Sequence, residues 1–257
     1  MPLRFDDIGS GAAVVILHGA YSTRDETRGA LEPFFADHDG YRRLYVDLPG
    51  MGDSPGGDTI QTSNDVVAVV NELIEAAVGS EPVLVIGHSY GAHVARGIAA
   101  CRPEQVRGIA LICPLTPAAM EAEQHQVVAA EGDVSEDIDP ALADEYTRYF
   151  VIHTPETARR FNEAVAPAIG RFDADTVERM MEHWQLDPDP DTAVFGGETL
   201  IVTGRHDSFV GFRRQAELID RYRRATYVVA GGAGHALPHE RPQLLAALLR
   251  DWLGRIG

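Results

Sequence analysis

The sequence predicts an α/β fold, in which a mostly parallel central sheet is flanked by helices. Short runs of apolar, β-forming residues alternate along the chain with longer segments of helical periodicity. The apolar runs are nearly continuous, as is typical of strands that are buried on both faces of a sheet. This alternating order favours parallel strands joined by right-handed helical crossovers.

Six apolar runs predict the strands of the sheet. Glycine, proline or polar residues lie at or near the ends of these runs, which are 12–17, 43–47, 82–86, 106–113, 199–203 and 225–229. Only about ten residues precede the first run, so we expect few additional strands at the amino-terminal side of the sheet.

Three segments carry a helical pattern. Apolar residues recur at helical spacing between Thr62 and Val78, and Ser63 and Asn64 are suitable capping residues. Ser89 to Ala100 is rich in small residues, which predicts a helix packed closely on the sheet. The last helix is expected from about Arg241 to Arg255.

The pattern of strands is interrupted between residues 115 and 191. This region has helical segments, acidic stretches and several aromatic residues, but no apolar strand run. We therefore predict a helical cap at 115–191, inserted into a core formed by 1–114 and 192–257. The aromatic residues suggest a small, partly apolar substrate, although they equally fit packing within the cap.

Composition narrows the partners that this chain is expected to have. The 257 residues carry a formal charge of −17, which disfavours nucleic acid and anionic membranes as partners. The amino terminus lacks a secretory pattern, and no apolar run is long enough to cross a bilayer. We expect a cytoplasmic protein, with Cys101 and Cys113 as buried thiols. All basic residues are arginine, which excludes Schiff-base chemistry on lysine.

The strongest chemical signal is the sequence Gly87-His88-Ser89-Tyr90-Gly91. It follows a predicted strand and begins a predicted helix, as a nucleophile elbow requires. The two glycines leave room for a tight turn, and the helix amino terminus favours negative charge beside the serine. The pattern predicts Ser89 as a nucleophile, although a glycine-rich turn without chemistry has a similar sequence.

A serine nucleophile needs a base and an acid that orients the base. His235 lies in a glycine-rich loop after the last predicted strand, and Asp207 follows the strand 199–203. The order Ser89, Asp207, His235 is the order of the nucleophile-elbow hydrolases. The alternatives are a surface histidine at 235, and a helix cap or a surface carboxylate at 207. Asp47 and Asp53 are expected to stabilise a loop instead.

An oxyanion hole is expected beside the serine. The backbone N–H of Tyr90 follows the nucleophile directly, and the N–H of Ala20 lies in the loop after the first strand. Gly19 gives this loop the freedom to turn that N–H inward. His18 is expected to brace the loop.

Together, these motifs resemble the α/β-hydrolase superfamily. The resemblance rests on Leu17-His18-Gly19, on 47–54, on the elbow, on 204–207 and on 232–235, and it covers about 12–110 and 199–253. It implies triad roles for Ser89, Asp207 and His235, oxyanion roles for Ala20 and Tyr90, and neither a metal nor an organic cofactor. The first loop has no second glycine after Gly19, so we expect Tyr21 to project into the substrate pocket, with His88 as a second pocket residue.

The leading functional hypothesis is hydrolysis of a small carboxylic ester, or a related acyl compound, through an acyl-serine intermediate. Hydrolysis of a C–C bond, an amide or a lactone by the same triad remains open, as does a non-catalytic ligand-binding protein. The acidic segment 187–191 lacks the spacing of a cation-binding loop, so no metal site is predicted there. The sequence does not specify an oligomeric state.

Overall fold

A computed structural model describes residues 2–116, 122, 124–192 and 195–256. The chain folds around a seven-stranded sheet with the order β1-β3-β2-β4-β5-β8-β9. These strands are β1 (Phe5–Gly9), β2 (Ala12–Leu17), β3 (Tyr41–Val46), β4 (Val83–His88), β5 (Val106–Ile112), β8 (Glu198–Gly204) and β9 (Ala225–Ala230). All neighbouring pairs are parallel except β1 with β3. The predicted α/β class with a mostly parallel sheet is therefore confirmed.

Each of the six predicted strands is present within a few residues of its expected bounds. Strand β1 was not predicted, because it is an edge strand whose residues alternate between exposed and half-buried and include Asp6 and Asp7. Such a strand needs only one hydrogen-bonded neighbour and lacks the continuous apolar run by which the central strands were recognised.

Helices cover both faces of the sheet. The α-helices of the described chain are α1 (Arg24–Phe35), α2 (Ser63–Ala77), α3 (Tyr90–Cys101), α4 (Ala143–Tyr149), α5 (Pro155–Arg160), α6 (Ala174–Glu182), α7 (Leu237–Glu240) and α8 (Pro242–Ile256). Val15 and Leu17 of β2 face a core formed with α2 and α3. Val14 and Ile16 face the opposite core, formed with α1 and α8. This alternation follows from the two-residue period of a strand.

The predicted cap segment lies between β5 and β8. Besides α4 to α6, it contains a two-stranded parallel sheet, β6 (Ala129–Ala130) with β7 (Ile152–His153), and a π-helical turn at Phe161–Val165. Apolar side chains of α4, α5 and the π-helical turn form a separate cluster that includes Ala236 of the core. Val177 and Met180 of α6 instead join the core formed with α2 and α3. The division into core and cap remains a prediction, and 117–121, 123, 193 and 194 lie outside the described residues.

The two cysteines differ in exposure. Cys113 is buried, as expected, but Cys101 is exposed, which corrects the expectation that both thiols are buried. Cys101 is the last residue of α3, where the helix reaches the surface. Of the helices that the structure describes, none is long and apolar enough to span a bilayer.

Candidate active site

Ser89 occupies the turn between β4 and α3 with φ 54° and ψ −116°. This backbone conformation is sparsely populated for residues other than glycine. It costs about 1–3 kcal/mol and persists only where the surrounding structure enforces it. The backbone around the turn is packed so closely that neither glycine of the elbow has room for a side chain. A Cβ on Gly87 would lie 2.3 Å from the carbonyl oxygen of Gly91, and a Cβ on Gly91 would lie 2.4 Å from that of Leu17. Both elbow glycines are therefore required for the close packing of α3 on the sheet.

Replacing Gly91 with alanine is expected to lower the free energy of unfolding by about 3 kcal/mol, because the added methyl group meets backbone atoms that cannot move aside. Urea denaturation followed by circular dichroism measures the change. Gly254→Ala is the matched control, since Gly254 lies in α8 and a Cβ added there would have no atom within 4 Å. We expect this control to stabilise the fold by about 0.5 kcal/mol. Equal stability of both variants would contradict the close packing at the elbow.

The predicted base and acid are in direct contact. His235 follows β9 and Asp207 follows β8, so both lie at the carboxyl ends of strands, as Ser89 does. His235 Nδ1 and Asp207 Oδ2 are 2.8 Å apart, and the Asp207 side chain is fully buried. Burial by itself raises the pKa of Asp207, but His235 and the N–H groups of Val210 and Phe209 outweigh it, so the pKa lies below its usual value.

The other oxygen of Asp207 holds the turn that follows it. Asp207 Oδ1 accepts hydrogen bonds from the backbone N–H of Phe209 and of Val210, each at 2.9 Å. The helix cap considered as an alternative is absent, because no helix of the described chain begins directly after Asp207 and the next helical turn starts at Arg214. One oxygen holds the turn and the other contacts His235. The carboxylate is therefore fixed in one orientation, with Oδ2 toward the imidazole.

Among the described residues, no hydrogen bond reaches Ser89 Oγ, and His235 Nε2 also has no partner. The two residues are linked through His88, the neighbour of Ser89. Its ring centroid is 4.9 Å from that of His235, and its Nε2 lies 3.0 Å from the His235 carbonyl oxygen. Hydrogen bonds between nucleophile and base are often long before substrate binds.

His88 itself lies in a different place from the one expected. It is only 4 % exposed and packs beneath His235, so it supports the histidine loop and does not line an open pocket. This position corrects the expectation that His88 lines the substrate pocket. The side chains of His88 and Ser89 leave the tight turn in different directions, and that of His88 points into the protein. Burial and the neighbouring His235 lower the pKa of His88 to about 4, so its ring is neutral near pH 7.

The loop expected to form the oxyanion hole passes directly beside the serine. A Cβ on Gly19 would lie 3.2 Å from Ser89 Cβ and 3.7 Å from Ser89 Oγ, and Ala20 follows at once. Tyr90 is the first residue of α3, where a backbone N–H has no acceptor within its own helix. Both predicted donors are thus on segments that flank Ser89.

His18 braces this loop, as predicted. Its Nδ1 lies 2.7 Å from the Gly19 carbonyl oxygen, and its Nε2 accepts a hydrogen bond from the Leu48 N–H at 3.0 Å. Burial lowers the pKa of His18, which favours the neutral ring that this pattern requires. Asp47 also has its expected loop role, because its Oδ2 accepts the N–H of Asp53 at 2.9 Å.

Tyr21 is 44 % exposed and has φ 61°. Its ring meets that of Phe172, from the cap segment, edge to face at a centroid distance of 5.2 Å. Tyr21 therefore stands on the surface next to the loop of Gly19 and Ala20. Its role as a pocket residue stays a prediction.

Two aromatic residues that were not predicted as site residues lie against His235. The Phe209 ring stacks on His235 with a centroid distance of 4.9 Å and an angle of 21°. Tyr149, from the cap segment, meets His235 edge to face at 6.0 Å. The position of Phe209 two residues after Asp207 is the only sequence signal that points to it.

Two buried carboxylates, also missed from sequence, connect the cap segment to the core. Glu240 Oε1 accepts the N–H of Val151 at 2.6 Å and that of Ile152 at 3.1 Å, and its Oε2 accepts the N–H of Gly234 at 2.7 Å. Burial raises the pKa of Glu240, and these three N–H groups oppose that rise. One side chain thus joins the cap to the residue before His235.

Glu26 of α1 makes the second connection. The Tyr149 hydroxyl donates to Glu26 Oε1 at 2.5 Å, and the Ser22 hydroxyl donates to Oε2. Burial by itself raises the pKa of Glu26, but His239, His88 and the Ser22 hydroxyl outweigh burial and hold it well below its usual range. Glu26 is therefore a buried anion that fixes Tyr149 beside His235.

One group of described side chains has the composition of a metal site: His88, Cys113 and His235, with ligand atoms within 4.8 Å of one another. The His235 Nδ1 and the His88 Nε2 already have partners. Burial raises the pKa of the Cys113 thiol well above its usual value, which opposes the thiolate that a metal ion needs. The group is better explained as packing beneath the predicted base.

Known proteins resemble this chain in sequence and in fold. Residues 14–248 match the alpha/beta hydrolase family. A pimeloyl-acyl-carrier-protein methyl ester esterase of Shewanella woodyi is 38% identical over 112 residues, which cover 43% of this chain and only 39% of that relative. The lipase LipV of Mycobacterium tuberculosis is 29% identical over 81% of this chain and 82% of its own length.

Among solved structures, an alpha/beta superfamily hydrolase from Oenococcus oeni superposes with a TM-score of 0.91. It shares 23% sequence identity, and the match covers 100% of this chain and 99% of that chain. The family match extends over most of the chain and includes the elbow, the Asp207 turn and the His235 loop. The chain therefore belongs to the alpha/beta hydrolase family, and it is a hydrolase.

Proposed function

We propose that this protein hydrolyses small carboxylic esters through an acyl-serine intermediate, with Ser89 as nucleophile, His235 as base and Asp207 as the acid that orients the base. The observation that carries the proposal is the strained elbow of Ser89, placed at the same edge of the sheet as the buried Asp207–His235 pair. The strain is characteristic of functional positions, because folding alone gains nothing from it.

In the first half of the proposed reaction, Ser89 Oγ attacks the ester carbonyl carbon while His235 Nε2 accepts its proton. The carbonyl oxygen becomes an anion, which the N–H groups of Tyr90 and Ala20 stabilise. The intermediate then collapses, the bond between the carbonyl carbon and the alcohol oxygen breaks, and the alcohol leaves with the proton from His235. Asp207 keeps the Nδ1 proton of His235 in place throughout.

In the second half, water replaces the alcohol. His235 accepts a proton from this water while the oxygen attacks the acyl carbon, again with the anion held by the two N–H groups. Collapse breaks the bond to Ser89 Oγ, which recovers its proton from His235 and releases the carboxylic acid. The names of the Shewanella and Mycobacterium relatives, an esterase and a lipase, support an ester as the substrate.

A fluorophosphonate probe and a panel of p-nitrophenyl esters of graded acyl length test the proposal together. We expect the probe to label Ser89, as located by mass spectrometry, and labelling to abolish ester cleavage with one equivalent bound. A lactone, an aminoacyl amide and a C–C substrate run in parallel identify the bond that is cleaved fastest. Failure of the folded protein to react at Ser89 would contradict the proposal and favour a non-catalytic binding protein.

A further inference from the structure

We infer that Phe209 forms the binding surface for the alcohol portion of the ester and that it selects esters of aromatic or other bulky apolar alcohols. This inference rests on the proposed function. Only the alcohol portion, which departs during acylation, is involved. The first supporting observation is the exposure of the Phe209 ring.

Phe209 is 43 % exposed although it lies against a side chain that is only 6 % exposed, that of His235. One face of its ring stacks on the imidazole, and its edge region meets Tyr149 at a centroid distance of 6.1 Å and an angle of 89°. Large apolar side chains left open beside a polar site are typical of ligand contacts. The open part of the Phe209 ring is thus an apolar surface immediately next to the predicted base.

The position of this surface is fixed by the same carboxylate that orients the base. Asp207 Oδ1 binds the Phe209 N–H at 2.9 Å, and Asp207 Oδ2 is 2.8 Å from His235 Nδ1. Tyr149, in turn, is held by its hydrogen bond to Glu26. Asp207 thus holds the backbone of Phe209 and the imidazole of His235, and the Phe209 ring lies between the rings of His235 and Tyr149, as a positioned specificity contact requires.

The chemistry determines which half of the ester lies there. To donate its proton, His235 Nε2 must come within about 3 Å of the alcohol oxygen. The alcohol group then begins beside the imidazole, whereas the acyl group is bonded to Ser89 and has its oxygen at Tyr90 and Ala20. An apolar ring in contact with His235 is consequently adjacent to the alcohol and not to the acyl chain.

This assignment has a kinetic consequence that a purely structural role does not share. The alcohol has left before deacylation, so a contact to it affects acylation and its reverse, but not the attack of water. Loss of the contact changes the selectivity among alcohols with a common acyl group. A ring that merely supported His235 would alter all esters, and deacylation, by the same factor.

The test compares benzyl butanoate with methyl butanoate. In Phe209→Ala, we expect the ratio of kcat/KM for the benzyl ester to kcat/KM for the methyl ester to fall about tenfold. This factor corresponds to the free energy that one contact between aromatic rings typically contributes. Phe209→Leu, which keeps apolar bulk, should restore part of the ratio. Phe5→Ala is the matched control, because Phe5 is an exposed phenylalanine of edge strand β1, and we expect it to leave the ratio unchanged.

A second measurement uses the reverse step. With p-nitrophenyl butanoate as acyl donor, benzyl alcohol and methanol compete with water for the acyl-enzyme, and Phe209→Ala should lose the preference for benzyl alcohol by a similar factor. Ser89-dependent hydrolysis with unchanged benzyl-to-methyl ratios in both Phe209 variants would overturn this inference alone. Hydrolysis that persists in Ser89→Ala would instead overturn the proposed function.

Discussion

Ser89→Ala is expected to lower kcat for ester hydrolysis by about 10⁶-fold, the loss typical of removing the nucleophile of a serine hydrolase. Alanine has no oxygen with which to form the acyl-enzyme. The fold should remain intact, since no described residue hydrogen-bonds to Ser89 Oγ and both elbow glycines are unchanged. Initial rates on p-nitrophenyl butanoate, together with urea denaturation, measure the two effects separately.

The control for this variant is Ser80→Ala, because Ser80 is an exposed serine in the turn before β4. We expect its kcat to equal that of the unaltered protein. Activity of Ser89→Ala within about tenfold of the unaltered protein, at unchanged stability, would reject Ser89 as the nucleophile.

Asp207→Asn is expected to lower kcat by about 10⁴-fold, through the wrong tautomer of the base. The two N–H groups of Phe209 and Val210 require an oxygen at the Oδ1 position, which the amide oxygen can supply. The amide NH₂ must then face His235 Nδ1 and donate to it. The imidazole proton moves to Nε2, where it blocks acceptance of the serine proton.

Asp53→Asn provides the matched control, since Asp53 is an exposed carboxylate paired with Arg24 and Arg171. We expect Asp53→Asn to leave kcat unchanged. The kcat values of both variants are measured on the same ester, and circular dichroism verifies that each variant is folded. If both asparagine variants retained full activity, His235 would not need Asp207, and the proposed mechanism would be wrong.

The sequence was sufficient to predict the fold class, since the central strands are buried on both faces and therefore appear as continuous apolar runs. It was insufficient for β1, whose exposed edge carries two aspartates. The contact of Asp207 with His235 was also expected, because parallel strands direct their carboxyl ends to one edge of the sheet. The catalytic roles of these residues remain predictions.

The residues around His235 could not be predicted in the same way. Phe209, Tyr149, Glu26 and Glu240 belong to four separate segments, and no periodicity indicates that they meet around His235. Glu240 resembles any helix-terminal acid in the sequence, and only the folded chain shows that three N–H groups converge on it. His88 was expected in the substrate pocket, but it is buried beneath His235 through a contact between the elbow and the histidine loop, which the elbow motif does not specify.

The bridge made by Glu240 limits how this enzyme can admit its substrate. Moving Val151 and Ile152, where β7 begins, away from the core would break two hydrogen bonds to a buried carboxylate and would strain the third, at the residue before His235. Such a movement would displace the imidazole at the same time. Ligand exchange that preserves the alignment of His235 therefore requires motion elsewhere in the predicted cap segment, with residues 151 and 152 held in place by Glu240.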